Sequence, residues 1–280
     1  MSILERMQSI DRRYIYLLAW LAVLVPLLNP LGLPVSIGKY STDYYNYIDA
    51  LPEDSVILVS FDYGISAMPE LYPLTIATFH HLWSHDFKVI VVASWLQGPM
   101  VMDVVLDEID PAEMYGKAYG EDWVELGWFA QREVGMAALG KDIWATLPVD
   151  YIENKPTSSF PIMQDVKTAE DIDLIISFET GTPGLPEWIR QWETPYGTKI
   201  IMGCIGVMVP EVAPYLQTGQ LQALIPGLTA SAEYELLLKR PGLAIAGVDA
   251  ISMSHLLVIV LVIIGNVAYF LTGGGRSKNG

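Results

Sequence analysis

The stretch Ser55-Val-Ile-Leu-Val-Ser-Phe-Asp-Tyr-Gly64 decides the fold, because a run of apolar and β-branched residues leads directly into a polar turn. Such a run is typical of a strand that is buried on both faces, as in a parallel sheet. The predicted strands are Val56–Phe61, Lys88–Ala93, Trp123–Leu126, Leu174–Phe178, Lys199–Met202 and Gln222–Ile225. The predicted intervening helices are Pro73–Trp83, Val101–Ile109, Gln131–Leu139, Pro186–Trp192, Pro210–Gln217 and Ala230–Leu238. This alternation predicts an α/β fold with a doubly wound, mostly parallel, Rossmann-like sheet of about six strands.

Two segments near the sheet have weaker patterns. Residues 141–168 are rich in Pro, Ser and Asn, so Asp142–Pro148 is predicted as a short extra strand and the rest as a long surface loop. Residues Ser41–Pro52 are predicted to form a short helix beside the membrane. Its tyrosines suit either the lipid headgroup level or packing against the domain.

Both ends of the chain contain apolar segments long enough to cross a membrane. The chain is 52% hydrophobic with a mean hydropathy of +0.34, and two transmembrane helices are predicted, at residues 14–35 and 250–271. Arg12 and Arg13 precede the first and Arg276 and Lys278 follow the second, which predicts that both termini are cytoplasmic. The predicted division is a cytoplasmic N-terminus (1–13), the first span, an extracytoplasmic α/β domain (36–249), the second span and a cytoplasmic tail (272–280).

The predicted extracytoplasmic domain is strongly acidic. The terminal segments carry +1 and +2 of the net charge of −16, which leaves −19 for residues 36–249. A surface of this charge repels nucleic acid, so no nucleic-acid partner is expected. The one cysteine, Cys204, excludes an intrachain disulfide and is interpreted as a buried small hydrophobe.

Ligands of open parallel sheets bind at the carboxyl ends of the strands, so the loops there supply the candidate site. The predicted ligand-binding residues are Asp62, Tyr63, Gln97, Glu179, Thr180, Thr229 and Glu233. The domain contains neither GxGxxG nor GxxxxGK[ST], and no cofactor is predicted. Asp62 and Glu179 are the carboxylates that suit acid/base work or cation binding. In the alternative interpretation, Asp62 caps or closes a turn and Glu179 pairs with a nearby basic group.

A histidine cluster on the first helix of the domain is interpreted more conservatively. His81 and His85 have the i,i+4 spacing of metal ligands, and His80 is adjacent. No HExxH motif accompanies them, and they lie at the helix end far from the strand tips. A solvated helix terminus is the preferred interpretation, so neither a metal site nor a catalytic residue is predicted.

Polar residues within the apolar segments predict contacts between helices. Asn29 and His255 lie at a similar predicted depth, which favours a contact within the chain or between copies. Asn266 has no partner in the first segment and is predicted to contact another subunit.

The chain resembles a set of uncharacterised prokaryotic membrane proteins in which two terminal spans bracket an α/β domain. The residues that carry this resemblance are LPEDSVILVSFDYG (51–64), PEL (69–71), ALGKDI (138–143), TGQLQALIPGLTASAEYELL (218–237) and SHLLVIVLVIIGN (254–266). The resemblance implies an architecture and no activity.

These patterns favour a non-catalytic binding or assembly subunit of a larger membrane complex. Its expected partners are membrane lipid and either copies of itself or other membrane subunits, with a small-molecule ligand as an open alternative. Two other functions remain: an extracytoplasmic enzyme that uses Asp62 and Glu179, with or without a divalent cation, and a solute sensor.

Overall fold

A parallel sheet of six strands lies at the centre of the computed structural model, which describes residues 11–271. The strands are β1 (Val56–Asp62), β2 (Lys88–Ala93), β3 (Trp123–Trp128), β4 (Leu174–Glu179), β5 (Lys199–Cys204) and β6 (Ala223–Pro226). They pair in the order β3-β2-β1-β4-β5-β6, and every pairing is parallel. The predicted six-stranded α/β fold is therefore confirmed, and the strand order reverses between β1 and β4.

Twelve α-helical segments occur in the described residues. They are α1 (Arg12–Leu28), α2 (Lys39–Asp49), α3 (Met68–Trp83), α4 (Gly98–Glu108), α5 (Pro111–Tyr115), α6 (Glu133–Lys141), α7 (Ile143–Thr146), α8 (Leu185–Trp188), α9 (Thr194–Tyr196), α10 (Val209–Thr218), α11 (Gly227–Leu237) and α12 (Leu243–Leu271). A π-helical segment, Ile189–Glu193, joins α8 to α9.

The sheet separates two hydrophobic cores. On one face, α2, α3, α4 and α11 bury side chains that include Tyr44, Phe79 and Tyr234. On the other face, α6, α8 and α10 bury side chains that include Met136 and Trp188. Burial on both faces explains why the strands read as continuous apolar runs.

The segment after α6 differs from its prediction. Asp142–Pro148 does not form a strand: the Asp142 side chain accepts a hydrogen bond from Ala145 N–H and caps the short helix α7. Nor is the remainder a surface loop, because Phe160, Ile162 and Met163 are buried in the second core. These apolar residues follow neither helical nor strand periodicity, so their burial was not predicted from the sequence.

Helix α2 packs against the α/β domain. Tyr44 is fully buried, and its ring meets that of Tyr234 edge-on at 5.3 Å between centroids. Tyr45 stacks on His81 at 4.7 Å. Tyr44 and Tyr45 therefore pack on the domain, which is one of the two interpretations given for these tyrosines.

The chain divides into two compact units, residues 35–244 and the two terminal segments together. Within the terminal unit, α1 is a helix of 17 residues that ends at Leu28, whereas a helix to Val35 was expected. Pro30 and Pro34 cannot supply helical N–H donors, and Gly32 has a positive φ of 65°. The buried carboxylate of Asp249 binds this irregular segment by accepting hydrogen bonds from the N–H groups of Leu31, Gly32 and Leu33 at 2.7–3.1 Å.

One helix in the described residues is long and apolar enough to cross a membrane. It is α12, with 29 residues and a mean hydropathy of 2.3 in its most apolar window. His255 and Asn266 are exposed on it, and Asn29 is exposed after α1. No hydrogen bond joins Asn29 to His255 in the described residues, so a contact between copies stays a prediction. The charges Arg276 and Lys278 lie outside the described residues.

Candidate functional site

Two acidic residues end neighbouring strands at the point where the strand order reverses. Asp62, the last residue of β1, pairs in register with Glu179, the last residue of β4. Because side chains alternate along a strand, Ser60 and Ser177 lie on the same face of the sheet as these carboxylates. The two strand ends share one pattern, Ser60-Phe61-Asp62 and Ser177-Phe178-Glu179. The sheet thus brings together the two carboxylates that the sequence predicted would share a crevice.

Four donors surround the fully buried carboxylate of Asp62. Its Oδ1 accepts from the Ser60 hydroxyl at 2.6 Å and from Ser94 N–H at 3.2 Å. Its Oδ2 accepts from Trp188 Nε1–H at 2.7 Å, and Ser177 Oγ lies 2.9 Å away. Burial raises the pKa of Asp62, while these four hydrogen bonds lower it. Every acceptor position of this carboxylate is therefore engaged by the protein itself.

Glu179 is buried beside Asp62 and has fewer donors. Its Oε2 accepts from Leu185 N–H at 2.6 Å, and its Oε1 lies 3.1 Å from Ser177 Oγ. Burial first, and then the charge of Asp62, raises the pKa of Glu179 well above its usual value.

The hydroxyl of Ser177 has one proton, yet both carboxyl groups lie within hydrogen-bonding distance of it. The four donors around Asp62, and the more strongly raised pKa of Glu179, favour one arrangement of the protons. A protonated Glu179 donates to Ser177, and Ser177 donates to an ionised Asp62. The strand tips therefore form a hydrogen-bonded chain from Glu179 through Ser177 to Asp62, in which Asp62, the carboxylate with more hydrogen-bond donors, carries the charge.

Cys204 ends β5 next to Glu179. The thiol is buried, and burial, followed by the charges of Glu179 and Glu70, raises its pKa. It is therefore protonated at neutral pH and is a poor nucleophile.

The other predicted ligand residues lie apart from this pair. Tyr63 is buried with its hydroxyl 2.9 Å from that of Thr75. Gln97 is exposed and accepts a hydrogen bond from Ile65 N–H, which joins two strand-end loops. Thr180 follows Glu179 and is half-buried.

Two predicted residues lie on α11. Thr229 is exposed in its first turn. The carboxylate of Glu233 accepts from Gly38 N–H at 2.8 Å and from the Ser41 hydroxyl at 2.6 Å. Glu233 thus holds the beginning of α2 and does not join Asp62 and Glu179.

The rim above the buried carboxylates is apolar and exposed. Exposed apolar side chains follow β1, β2, β3 and β5 at this edge: Ile65, Leu96, Met100, Trp128, Val134 and Val207. Leu96 is 70% and Val207 82% exposed. Charged side chains also lie at this edge: Arg132 and Glu133 at the turn into α6, Glu70 in the first turn of α3 and Glu211 in the first turn of α10. Exposed apolar side chains grouped at one edge of a domain of net charge −19 are the arrangement expected of a contact surface.

No family model, no curated protein and no solved structure matches the chain.

Two features of this domain were not predicted from the sequence: the contact of Trp188 with Asp62 and the environment of Glu125. Trp188, which donates to Asp62, lies 126 residues away along the chain. The repeated Ser-Phe-acid pattern was the available signal for the paired strand ends.

Glu125, on β3, is buried with an Oε2 that has no hydrogen-bond partner in the described residues. Burial, followed by the charges of Asp103 and Asp150, raises its pKa to about 8. Nothing in the apolar run around it indicated this environment.

Proposed function

We propose that this protein is a membrane-anchored, non-catalytic assembly subunit, whose domain docks through the carboxyl edge of its sheet onto further copies of the chain in a larger membrane complex. The observation that carries the proposal is the group of exposed apolar side chains at the strand-end rim of a strongly acidic domain. Burial of exposed apolar side chains drives association, and interface centres are depleted of charge.

The chemistry beneath the rim supports a structural role for the strand tips. A catalytic acid or base must reach the proton that it transfers. Asp62 and Glu179 are inaccessible, and their oxygens are bound by Ser60, Ser177, Trp188 and backbone N–H groups. Their placement is that of groups that fix the strand-end loops, which in turn present the rim.

The choice of partner follows from charge. Two domains of net charge −19 repel each other over most of their surfaces. The strand-end rim offers exposed apolar side chains for contact, and Glu133 there is paired with Arg190. Helix α12, which is long and apolar enough to span a bilayer, supports membrane attachment and would confine the copies to one plane.

The orientation belongs to the same proposal. Arg12 and Arg13 before the first apolar segment, and Arg276 and Lys278 after the second, favour cytoplasmic termini and an extracytoplasmic domain. A protease added outside intact cells should then digest the domain. Digestion only after the inner face is opened would overturn this orientation.

The assembly is tested by the mass of the full chain in mild detergent, measured by light scattering after size-exclusion chromatography. A defined oligomer is expected. A double variant, Leu96→Glu with Val207→Glu, should dissociate it, because both substitutions place charge on the rim. Met114→Glu is the matched control: Met114 is 48% exposed on α5, near the opposite end of the sheet, and its substitution should leave the mass unchanged.

Two outcomes would overturn the proposal. One is a wild-type chain that is monomeric and co-purifies with no partner. The other is an oligomer that the double variant leaves intact. A stable complex with a different membrane protein that the double variant disrupts would retain the docking edge and reject self-association.

A further inference from the structure

Three potential metal ligands converge at the amino edge of the sheet, at the opposite end from the strand tips. Asp49 ends α2, His81 lies in the last turn of α3, and His85 follows in the next turn. One ligand atom from each lies within 4.8 Å of the other two. Asp49 Oδ1 is 3.9 Å from the Nε2 atom of each histidine.

The second observation is the state of His81. The side chain is 2% exposed, and its Nε2 has no hydrogen-bond partner in the described residues. Its other nitrogen, Nδ1, lies 2.8 Å from the hydroxyl of Tyr234. Buried nitrogen atoms without a partner are rare in folded proteins, so this atom needs an explanation.

The hydrogen bond to Tyr234 fixes what Nε2 can offer. With the proton on Nδ1, His81 donates to the tyrosine oxygen, and Nε2 presents a lone pair towards Asp49 and His85. With the proton on Nε2, the nearest acceptor is Asp49 Oδ1 at 3.9 Å, which is too far for a hydrogen bond. The first tautomer is that of a metal-ligating histidine whose other nitrogen is held by a neighbour.

His85 is held in a similar way. Its Nδ1 lies 3.5 Å from Glu53 Oε1, and its ring stacks on Phe87 at 4.8 Å between centroids. Its Nε2 therefore points to the same space as that of His81. Tyr45 stacks on the His81 ring from the other side of the cluster.

We propose that Asp49, His81 and His85 bind a divalent first-row transition metal, with Zn²⁺ as the best match. Two imidazole nitrogens and one carboxylate oxygen are a common ligand set for such ions. Bonds of about 2.0–2.2 Å place tetrahedral ligand atoms about 3.3–3.6 Å apart. The ligand atoms, 3.9 Å apart between Asp49 and each histidine and all within 4.8 Å of one another, reach this spacing by rotation of Asp49, whose side chain is half exposed, and of the less buried His85.

An ion pair alone does not account for the cluster. A protonated His85 between Asp49 and Glu53 would explain the position of that one ring. It would leave His81 Nε2 without a partner.

Three protein ligands leave a coordination position open. A cavity of about 240 Å³ adjoins the cluster, and Lys239 and Arg240 line it. Water or a small anion would complete the coordination there. The bound ion would link α2 to α3 and, through Tyr234, to α11, which is a role separate from docking at the strand-end rim.

The test uses the full-length, tag-free chain in mild detergent after removal of metal with a chelator. Titration with Zn²⁺ alone in a calorimeter should show one ion per chain. Asp49→Ala and His85→Ala should each weaken binding by roughly 100-fold or more, since the loss of a residue that only positions a ligand already costs about 10–100-fold. Glu53→Gln, which changes such a positioning residue, should weaken it by roughly 10-fold.

His80→Ala is the matched control. His80 is the neighbouring histidine on α3, but its Nδ1 meets the hydroxyl of Tyr115 and it contributes no ligand atom to the cluster. Its affinity for Zn²⁺ should equal that of the wild type. Replacing Zn²⁺ with Co²⁺ gives a second readout, because the visible absorption of Co²⁺ reports four- or five-coordination and should vanish in Asp49→Ala.

The proposal fails if the wild type binds no stoichiometric Zn²⁺, or if Asp49→Ala and His85→Ala bind it as tightly as the wild type. Loss of binding in His80→Ala alone would also reject this ligand set. If His85→Ala does not fold, Asp49→Ala and Glu53→Gln decide the matter, because both side chains are more than half exposed. None of these results depends on the oligomeric state.

Discussion

The two ends of the sheet treat their buried polar groups differently. At the carboxyl edge, Asp62 and Glu179 are buried with hydrogen-bond partners on all of their oxygens. At the amino edge, His81 is buried with Nε2 unpartnered and aimed at Asp49 and His85. Parallel sheets usually bind ligands at the carboxyl edge, but here the carboxyl oxygens of Asp62 and Glu179 at that edge all have partners within the protein. The amino edge, where ligands are not usually bound, has a buried nitrogen without a hydrogen-bond partner in the described residues.

This difference shows that the position of a polar residue in the fold does not by itself determine whether it can bind a ligand. A strand-end carboxylate becomes a site only when it retains an acceptor that the protein does not use. A buried polar atom that can still bind a ligand is recognised by its missing hydrogen-bond partner, and not by its place in the strand order. Four substitutions of acidic side chains by their amides, one of them measured across pH, test this contrast.

The largest effect is expected for Asp62→Asn. Each oxygen of Asp62 meets two groups that donate, so an amide nitrogen at either position faces two donors and leaves them unsatisfied. The free energy of unfolding should fall by about 3 kcal/mol or more. Denaturant unfolding of the full chain in detergent, followed by tryptophan fluorescence, measures it, because Trp188 is one of the donors.

Glu179→Gln is the matched substitution on the next strand. A protonated Glu179 already donates one hydrogen bond and accepts another, and glutamine reproduces both. Its unfolding free energy should lie within about 1 kcal/mol of the wild type. Equal losses for the two variants would contradict the proton arrangement proposed for the strand tips.

The next effect concerns Glu125 and appears as pH dependence. Its pKa in the folded chain is raised to about 8, so the neutral form is favoured there, while the unfolded chain ionises near its usual value. The stability that this group contributes is complete below pH 4.5 and is lost as the pH rises through about 8. Wild-type stability should decline over this window by up to about 1.4 kcal/mol per pH unit from this group.

Glu125→Gln removes that titration. The variant should be as stable as the wild type near pH 5 and more stable at pH 9, as measured by melting temperature across pH. Glu121→Gln, at an exposed position before the same strand, is the control for the loss of one negative charge. A wild-type profile that rises between pH 5 and 8 and is unchanged in Glu125→Gln would reject the assignment.

The smallest effect is expected for Asp49→Asn in the metal-free chain. The Asp49 side chain is 51% exposed, and its atoms lie 3.9 Å from the histidines. Such exposed charge interactions contribute about 1 kcal/mol or less. Unfolding without metal should therefore change little, whereas added Zn²⁺ should stabilise the wild type and not this variant. A large loss in the metal-free protein would indicate that Asp49 has a purely structural role.

The sequence predicted the framework of the sheet because the strands are continuous apolar runs. All six were located, and Lys88–Ala93 was predicted with its observed bounds. The six predicted helices were located as well, although α3 and α4 begin earlier than predicted, at Met68 and Gly98, and the short helices α5 and α7 were not predicted. These starts contain Pro and Gly, which weaken a helical pattern without preventing the first turn.

Non-local packing and chemistry were beyond prediction. The segment around Phe160 has no period, so its burial could be learned only from the fold. The partner of His81 is Tyr234, which is 153 residues distant, and that of Asp62 is Trp188. Sequence spacing suggested the pair His81 and His85, but Asp49 joins them only because α2 packs beside α3.

The hydrogen bonds from Leu31, Gly32 and Leu33 to Asp249 have a consequence for biogenesis. The acceptor lies 216–218 residues after the donors, so a ribosome makes nearly the whole polypeptide before this connection can form. Until Asp249 has been synthesised, the N–H groups of the segment after α1 must bind water or a chaperone. Synthesis of the first two turns of α12 is then the step that fixes the first segment, and a chain truncated before Asp249 would lack these hydrogen bonds.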